Sequence, residues 1–294
     1  MRTISVSSSS CGGCWGATRQ PATAVHEILE HLTAGSRVLD LGSGGGSFDG
    51  TGRSFRVVRL DLDMPPAGTA RFVRADGARL PFDDGVFDAV VANHSLEHVE
   101  RLDDCLHEIG RVLRPSGSAF VSVPDSTTFS DRIYRWLARG GGHVNAFGDL
   151  DALQRRLETG TGLKVAAVRP LLASLSFLHR RNQRSRIPRK ALLFGNGCAP
   201  ALHAINGLLR SLDRLAGTRT SLYGWALYLG ALSEEVSTAP WVNVCIRCGS
   251  GHSPGSLGPR HRVERRWWIV RCYTCPVCGS WNVYYSDEGL EHLR

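Results

Sequence analysis

Residues 36 to 48 read "SRVLDLGSGGGSF": an apolar run that carries Asp40 near its end and then turns abruptly into glycine at positions 42, 44, 45 and 46. Such a run predicts a buried strand. Glycines behind it permit positive φ and let a ligand lie directly on the backbone. In a parallel α/β sheet that strand-to-glycine turn is where a nucleotide-type cofactor sits. The dinucleotide frame G-x-G-x-x-G, counted from Gly42, wants glycine at position 47, where this chain has Ser47.

Working outward, apolar residues recur at helical spacing in "ATAVHEILEHL" (22–32), before the glycine loop. After it come strand-like runs at 55–62, 70–76, 87–93 and 118–124, with a helical run at 102–114 closed by "PSG". Strands alternating with helices predict an α/β fold, a doubly wound Rossmann-like sheet. Further on, "TTFSDRIYRWLA" reads as a helix, "RGGGHVNAFGD" as a flexible loop and "LDALQRRLETGTG" as a helix. "KVAAVRPL" and "SLYGWALYLGAL" (221–232) complete the strands. Between these last two lies an insertion at about 178–220, which contains "HRRNQRSRIPRK" (179–190), six Arg or Lys and no acid. Residues 1–20 are rich in Ser and Gly and read as a disordered tail.

The motifs resemble the class I S-adenosylmethionine-dependent methyltransferases, whose signature is an acidic residue followed by G-x-G-x-G. Asp61 ends the second strand 19 residues after Gly42, where the resemblance implies an acid accepting both ribose hydroxyls. "VRADGARLPF" (73–82), with Asp76 and Gly77, resembles the segment that meets the adenine. "FDDGVFDAVVANHSLEHV" (82–99) resembles the fourth-strand signature and "EIGRVLRPSGSAFVSVP" (108–124) the approach to the fifth. The resemblance covers about 22–170, more loosely to 232, and implies a seven-stranded methyltransferase sheet over 21–238. It implies S-adenosylmethionine held by Asp40, Gly42, Gly44, Gly46, Asp61, Asp76, Gly77 and Asn93. Asp40 can accept from the donor's ammonium or order waters; both Asp40 and Asp61 can alternatively cap loop amides. One departure is "SFDGTGRSF" (47–55), a poor helix by propensity, so the first helix after the glycines is expected to be short or absent.

A hydroxyl acceptor needs a general base, and histidine suits it. His143, in the glycine loop after the fifth strand, is the first candidate and His94, leaving the fourth strand, the second. The fourth strand ends "ANHS", without the Asn/Asp-Pro-Pro-aromatic run of exocyclic-amine enzymes or a Pro-Cys nucleophile. Small-molecule or glycan-like acceptors gain by elimination.

The 294 residues, 42% hydrophobic and 21% charged, suffice for one large domain and a small one. No apolar stretch matches a membrane span or a secretory signal, so a cytoplasmic protein is expected. A net charge of +8 favours anionic partners, and the basic run could dock RNA, a phosphate-bearing substrate or, peripherally, an anionic membrane.

Nine cysteines, mostly in C-x-x-C pairs, point to metal or thiol chemistry in a reducing compartment. In the tail 239–294, "VCIRCGSGH" and "CPVCGSW" supply Cys245, Cys248, Cys275 and Cys278 for tetrahedral, structural zinc. The knuckle frame follows from the glycines. A turn after the second cysteine wants positive φ, which Gly249 and Gly279 allow. Pairing Cys272 with Cys275 would put Pro276 there, so Cys272 is the spare. Strand-like "PWVNV", "VERRWWIVRC" and "WNVYY" predict a three-stranded zinc ribbon. "CGGCWG" at the N-terminus reads as tail. The leading expectation is a methyltransferase with a C-terminal zinc ribbon. Its rivals are an RNA methyltransferase that grips RNA through the ribbon and basic run, and a non-catalytic cofactor-binding scaffold.

Overall fold

The computed structural model describes residues 25–44, 46–48, 54–63, 71–137, 142–182, 194–232, 236–252, 257, 263–266, 270–286 and 293. The N-terminal tail with Cys11 and Cys14, and most of the basic run, lie outside these residues. Seven strands form the main sheet: β1 Arg37–Leu41, β2 Arg56–Asp61, β3 Phe72–Arg74, β4 Phe87–Asn93, β5 Leu113–Pro124, β6 Val165–Leu172 and β7 Leu222–Gly230. Their order is β3-β2-β1-β4-β5-β7-β6. β1 to β5 are mutually parallel, and β7 runs antiparallel between β5 and β6. Every residue of β1 after Arg37 is buried, as are all but one of β4, because both faces of a parallel sheet are covered. From β1 the chain winds one way through β2 and β3, then returns to β4 on the other side. The crevice of an open α/β sheet opens at that reversal, beyond the carboxyl ends of the strands.

Five α-helices accompany the sheet among the described residues: α1 Val25–Glu30, α2 Leu102–Val112, α3 Phe129–Leu137, α4 Leu150–Thr161 and α5 Ala199–Ala216. α2 buries Leu102, Cys105, Leu106, Ile109 and Val112 at helical spacing. It lies close against α4: a Cβ on Gly110 would come 2.3 Å from the Thr161 carbonyl, and one on Gly160 2.6 Å from Leu106 Cβ. α4 starts at Asp149, whose carboxylate accepts from the Ala152 amide, and stops at Gly162 with φ 72°.

Two local expectations change. "PSG" does not follow the helix as a turn: α2 ends at Val112 and the chain enters β5 at once. Phe87 pairs with Leu113 and Ala89 with Ser118, so residues 114–117 form a bulge. The described part of "RGGGHVNAFGD" is not loose. Val144 and Asn145 donate their amides to the Glu97 carbonyl, and the Asn145 side chain donates to the Leu96 and Val99 carbonyls. Between β1 and β2 no helix occurs among the described residues, and most of the stretch expected to be a poor helix, 49–53, lies outside them.

Beyond residue 238 the strands leave the main sheet. β8 Asn243–Val244 pairs only with β9 Gly251–His252, while β10 Glu264–Arg266, β11 Val270–Thr274 and β12 Trp281–Val283 form a three-stranded sheet. The expected single strand "VERRWWIVRC" is instead two antiparallel strands, and "PWVNV" stands outside the three-stranded sheet. No described helix is long and apolar enough to cross a membrane.

Candidate active site and cysteine cluster

The glycine loop is set by two buried or half-buried acids. Asp40, fully buried at the end of β1, accepts from the Ser47 amide at 3.0 Å. Its other oxygen has no hydrogen-bond partner. The Arg59 guanidinium stands 3.8 Å away. Burial pushes the Asp40 carboxyl up to about 6, against the Ser47 hydrogen bonds and the Arg59 charge. Asp61, at the end of β2, accepts from the Gly44 amide at 2.7 Å and from the Asp63 amide at 3.2 Å. A carboxylate has about four acceptor positions, so two further hydrogen bonds remain open to it. Both acids thus cap loop amides.

Gly42, Gly44 and Gly46 all have positive φ, at 65°, 49° and 107°. A Cβ on Gly42 would lie 2.4 Å from Ser95 Cβ. The loop therefore rests directly on the turn that leaves β4, which joins the two halves of the crevice. Asp76 accepts from the Ala78 amide and from Arg101, and the Ala78 bond foremost holds its carboxyl below the usual range. A Cβ on the neighbouring Gly77 would press on Cys105 Sγ at 3.2 Å.

Asn93 closes β4 fully buried, its Oδ1 accepting from the Ser122 hydroxyl at 2.7 Å. His94 follows with φ 51°, a left-handed conformation uncommon outside glycine, held by its amide donating to Ser122. Its ring is buried against Tyr223 at 5.2 Å, and Nδ1 lies 3.7 Å from Glu97 Oε1. Glu97 is itself buried. Burial raises its carboxyl, yet His94 beside it and the charge of His98 hold it below the usual carboxylate value. Burial, with Glu97 beside it, keeps the Tyr223 phenol protonated well beyond its ordinary range.

His143 lies on the other side of Glu97. Its ring stacks on Tyr134 at 4.9 Å and meets His98 edge-on at 4.9 Å, with Nδ1 3.4 Å from Asp131 Oδ1. The structure therefore brings His94 and His143, the two predicted histidines, to one cluster. Glu97, Asp131 and Tyr223 complete it and escaped the sequence reading. The spacing of "HSLEH" (94–98), which puts Glu97 and His98 three and four residues after His94, was the available signal.

The four predicted tail cysteines also converge. Their sulfurs lie within 4.8 Å of one another, with Cys245 to Cys278 at 3.6 Å and Cys248 to Cys275 at 3.7 Å. Tetrahedral zinc with Zn–S bonds of about 2.3 Å would separate its sulfurs by about 3.8 Å. The two knuckles repeat one geometry. Gly249 and Gly279 have φ 73° and 68° and donate to the carbonyls of Cys245 and Cys275, whose own amides donate to the carbonyls of Ser250 and Ser280. Cys272 stands outside the cluster, its thiol directed at the Val270 carbonyl.

The chain matches the methyltransferase domain family over residues 39–121. It is 28% identical over 249 residues to the malonyl-[acyl-carrier protein] O-methyltransferase of Methylococcus capsulatus, covering 73% of this chain and 87% of the relative. It is 34% identical over 111 residues to the ubiquinone/menaquinone biosynthesis C-methyltransferase of Azotobacter vinelandii, covering 32% of this chain and 44% of that relative. Among solved structures, an S-adenosylmethionine-dependent methyltransferase from Archaeoglobus fulgidus aligns with 18% identity, covering 70% of this chain and 91% of its own, at a TM-score of 0.49. The matched residues 39–121 contain the glycine loop, the acids ending β1 and β2 and the turn after β4, and over that stretch the chain is similar to a methyltransferase domain.

Proposed function

We propose that this chain methylates a small-molecule or glycan-like acceptor, using S-adenosylmethionine held by Asp40, Gly42, Gly44, Gly46, Asp61, Asp76, Gly77 and Asn93. The observation that carries the reading is the contact between Gly42 and Ser95, which sets the glycine loop beside the His94–Glu97 turn. The donor cradle and a proton acceptor then share one crevice. The fit of the cofactor is supported by the unpaired, buried Asp40 Oδ1, which suits an ammonium, and by the positive-φ backbone of the glycine loop. The relatives described above are named for malonyl-carrier-protein and quinone-pathway methylation, which supports a non-nucleic-acid acceptor.

When bound, S-adenosylmethionine supplies a methyl group on a positively charged sulfur, and transfer then needs only an in-line nucleophile at near contact. His94 is the better placed proton acceptor: it adjoins Ser95 and hence Gly42, and Glu97 stands at its Nδ1 to stabilise the imidazolium. His143 packs instead against Tyr134 and His98, with Asp131 3.4 Å from its Nδ1. Residues 239–294 form a separate module in this reading, stapled by zinc on four thiolates. A closed four-cysteine set leaves no open position, so that zinc is structural.

The test is turnover with a panel of carboxylate, phenol and sugar acceptors, followed as release of the demethylated cofactor. His94→Asn lowers kcat about 100-fold or more while calorimetric cofactor affinity stays unchanged. An unchanged kcat rejects His94 as the base.

A further inference from the structure

The turn after β4 and the segment before α4 bring together a donor set separate from the cysteine cluster. One carboxylate oxygen of Glu97 and one ring nitrogen each of His98 and His143 lie within 4.8 Å of one another. We propose that Glu97, His98 and His143 bind a divalent first-row transition ion at the mouth of the donor crevice. Two imidazoles and a carboxylate suit such an ion better than they suit magnesium or calcium, and three protein ligands leave positions open to an exogenous one.

Three independent features carry the assignment. Each histidine has its Nδ1 already engaged: that of His98 lies 3.0 Å from the Gly142 carbonyl, and that of His143 3.4 Å from Asp131 Oδ1. The His98 Nδ1–H donates to that carbonyl, so its Nε2 carries the lone pair, the arrangement that orients a ligating imidazole. Asp131 is in turn fixed by Arg135 Nε at 2.7 Å. Glu97 is 1% exposed, and its Oε2 is buried without a hydrogen-bond partner. A buried carboxylate with an unmet oxygen is costly, and a cation is what satisfies it. Finally, the two ligand-bearing segments are locked together before any ion arrives. The Val144 and Asn145 amides donate to the Glu97 carbonyl at 2.8 and 3.0 Å. Asn145 Nδ2 donates to the Leu96 and Val99 carbonyls at 2.9 and 2.7 Å. Ligands held this firmly meet the main requirement of a built site.

His98 is exposed while Glu97 is buried, so the open coordination positions face solvent and the crevice. An acceptor hydroxyl held there would lose its proton more readily, the O–H bond breaking with its electron pair left on oxygen and the proton passing to His94. That role rests on the methyl-transfer reading; the ion site does not.

The probe is cobalt(II), titrated into the full chain after dialysis against a mild chelator that leaves the cysteine-bound metal in place. The wild type takes up one equivalent with nitrogen- and oxygen-type visible bands and no thiolate charge-transfer band. His98→Ala, at an exposed position where folding is preserved, and Glu97→Gln each remove that binding, and Asp131→Asn weakens it about 10- to 100-fold. No cobalt uptake by the wild type, or equal uptake by His98→Ala with an unchanged near-ultraviolet circular dichroism spectrum, overturns the site. Cofactor calorimetry on the same samples separates the two readings. Cobalt uptake without cofactor binding upholds the ion site and rejects methyl transfer, and cofactor binding without cobalt uptake does the reverse.

Discussion

Asp40 concentrates the tension of the glycine loop in one side chain. It is buried, one oxygen is unmet, and its carboxyl sits at about 6. The unfolded chain's aspartate titrates near ~3.9, so the folded state binds this proton more tightly. Stability from this group is therefore fullest below about pH 4 and falls as pH rises to about 6, by roughly 3 kcal/mol at about 1.4 kcal/mol per unit. Asp40→Asn removes the penalty. In urea unfolding the variant should be more stable than wild type at pH 7 by up to roughly 3 kcal/mol and should hold no advantage at pH 4. Equal stability at pH 7 would contradict this description of the loop. The charge that burial penalises is the one a bound ammonium would restore, so cofactor affinity should rise between pH 5 and 7 in wild type and stay flat in Asp40→Asn.

At the scale of elements, the two cysteine knuckles show what short-range chemistry can specify. Pro276 fixes φ near −65° in the rejected frame, and Gly279 adopts 68° in the accepted one. Cys272→Ser should accordingly leave zinc content intact, whereas Cys278→Ser should lose it; equal loss by elemental analysis would overturn the frame. The same locality explains what was legible in the chain. All seven main strands announce themselves as apolar runs, and Asp40, Asp61 and the glycines by spacing. The hairpin of β10 and β11 was hidden because "VERRWWIVRC" contains no Gly, Pro, Asn or Asp to mark a turn. The 142–149 segment looked loose because the bonds that hold it, from Asn145 to Leu96 and Val99, span 49 and 46 residues of sequence. Glu97 went unread for a related reason. A carboxylate in a charged turn looks solvated until the fold buries it between His94 and His98.

Over the whole molecule, the cysteine-rich tail is clasped to the main sheet by two buried arginines. Arg210 of α5 is 2% exposed, donates to the Val242 carbonyl and lies 4.1 Å over the Tyr285 ring. Arg169 of β6 is 1% exposed, donates to the Ala239 carbonyl and lies 4.6 Å over Trp241. Carbonyl and ring partners of this kind help to hold a buried cation. Arg210→Ala leaves a cavity and an unmet carbonyl, so it should cost on the order of 3 kcal/mol and split a single thermal transition in two. A calorimetric scan in which Arg210→Ala still unfolds in one unshifted transition would contradict a docked tail. In the proposed reading the docked cysteine cluster is a staple and the chemistry belongs to the crevice where Gly42 meets Ser95. That central claim is tested most directly by isothermal titration calorimetry of the full chain with S-adenosylmethionine. Wild type should bind one equivalent, with binding abolished in Asp61→Ala and Gly44→Val; no binding by wild type, or undiminished binding by both variants, would contradict it.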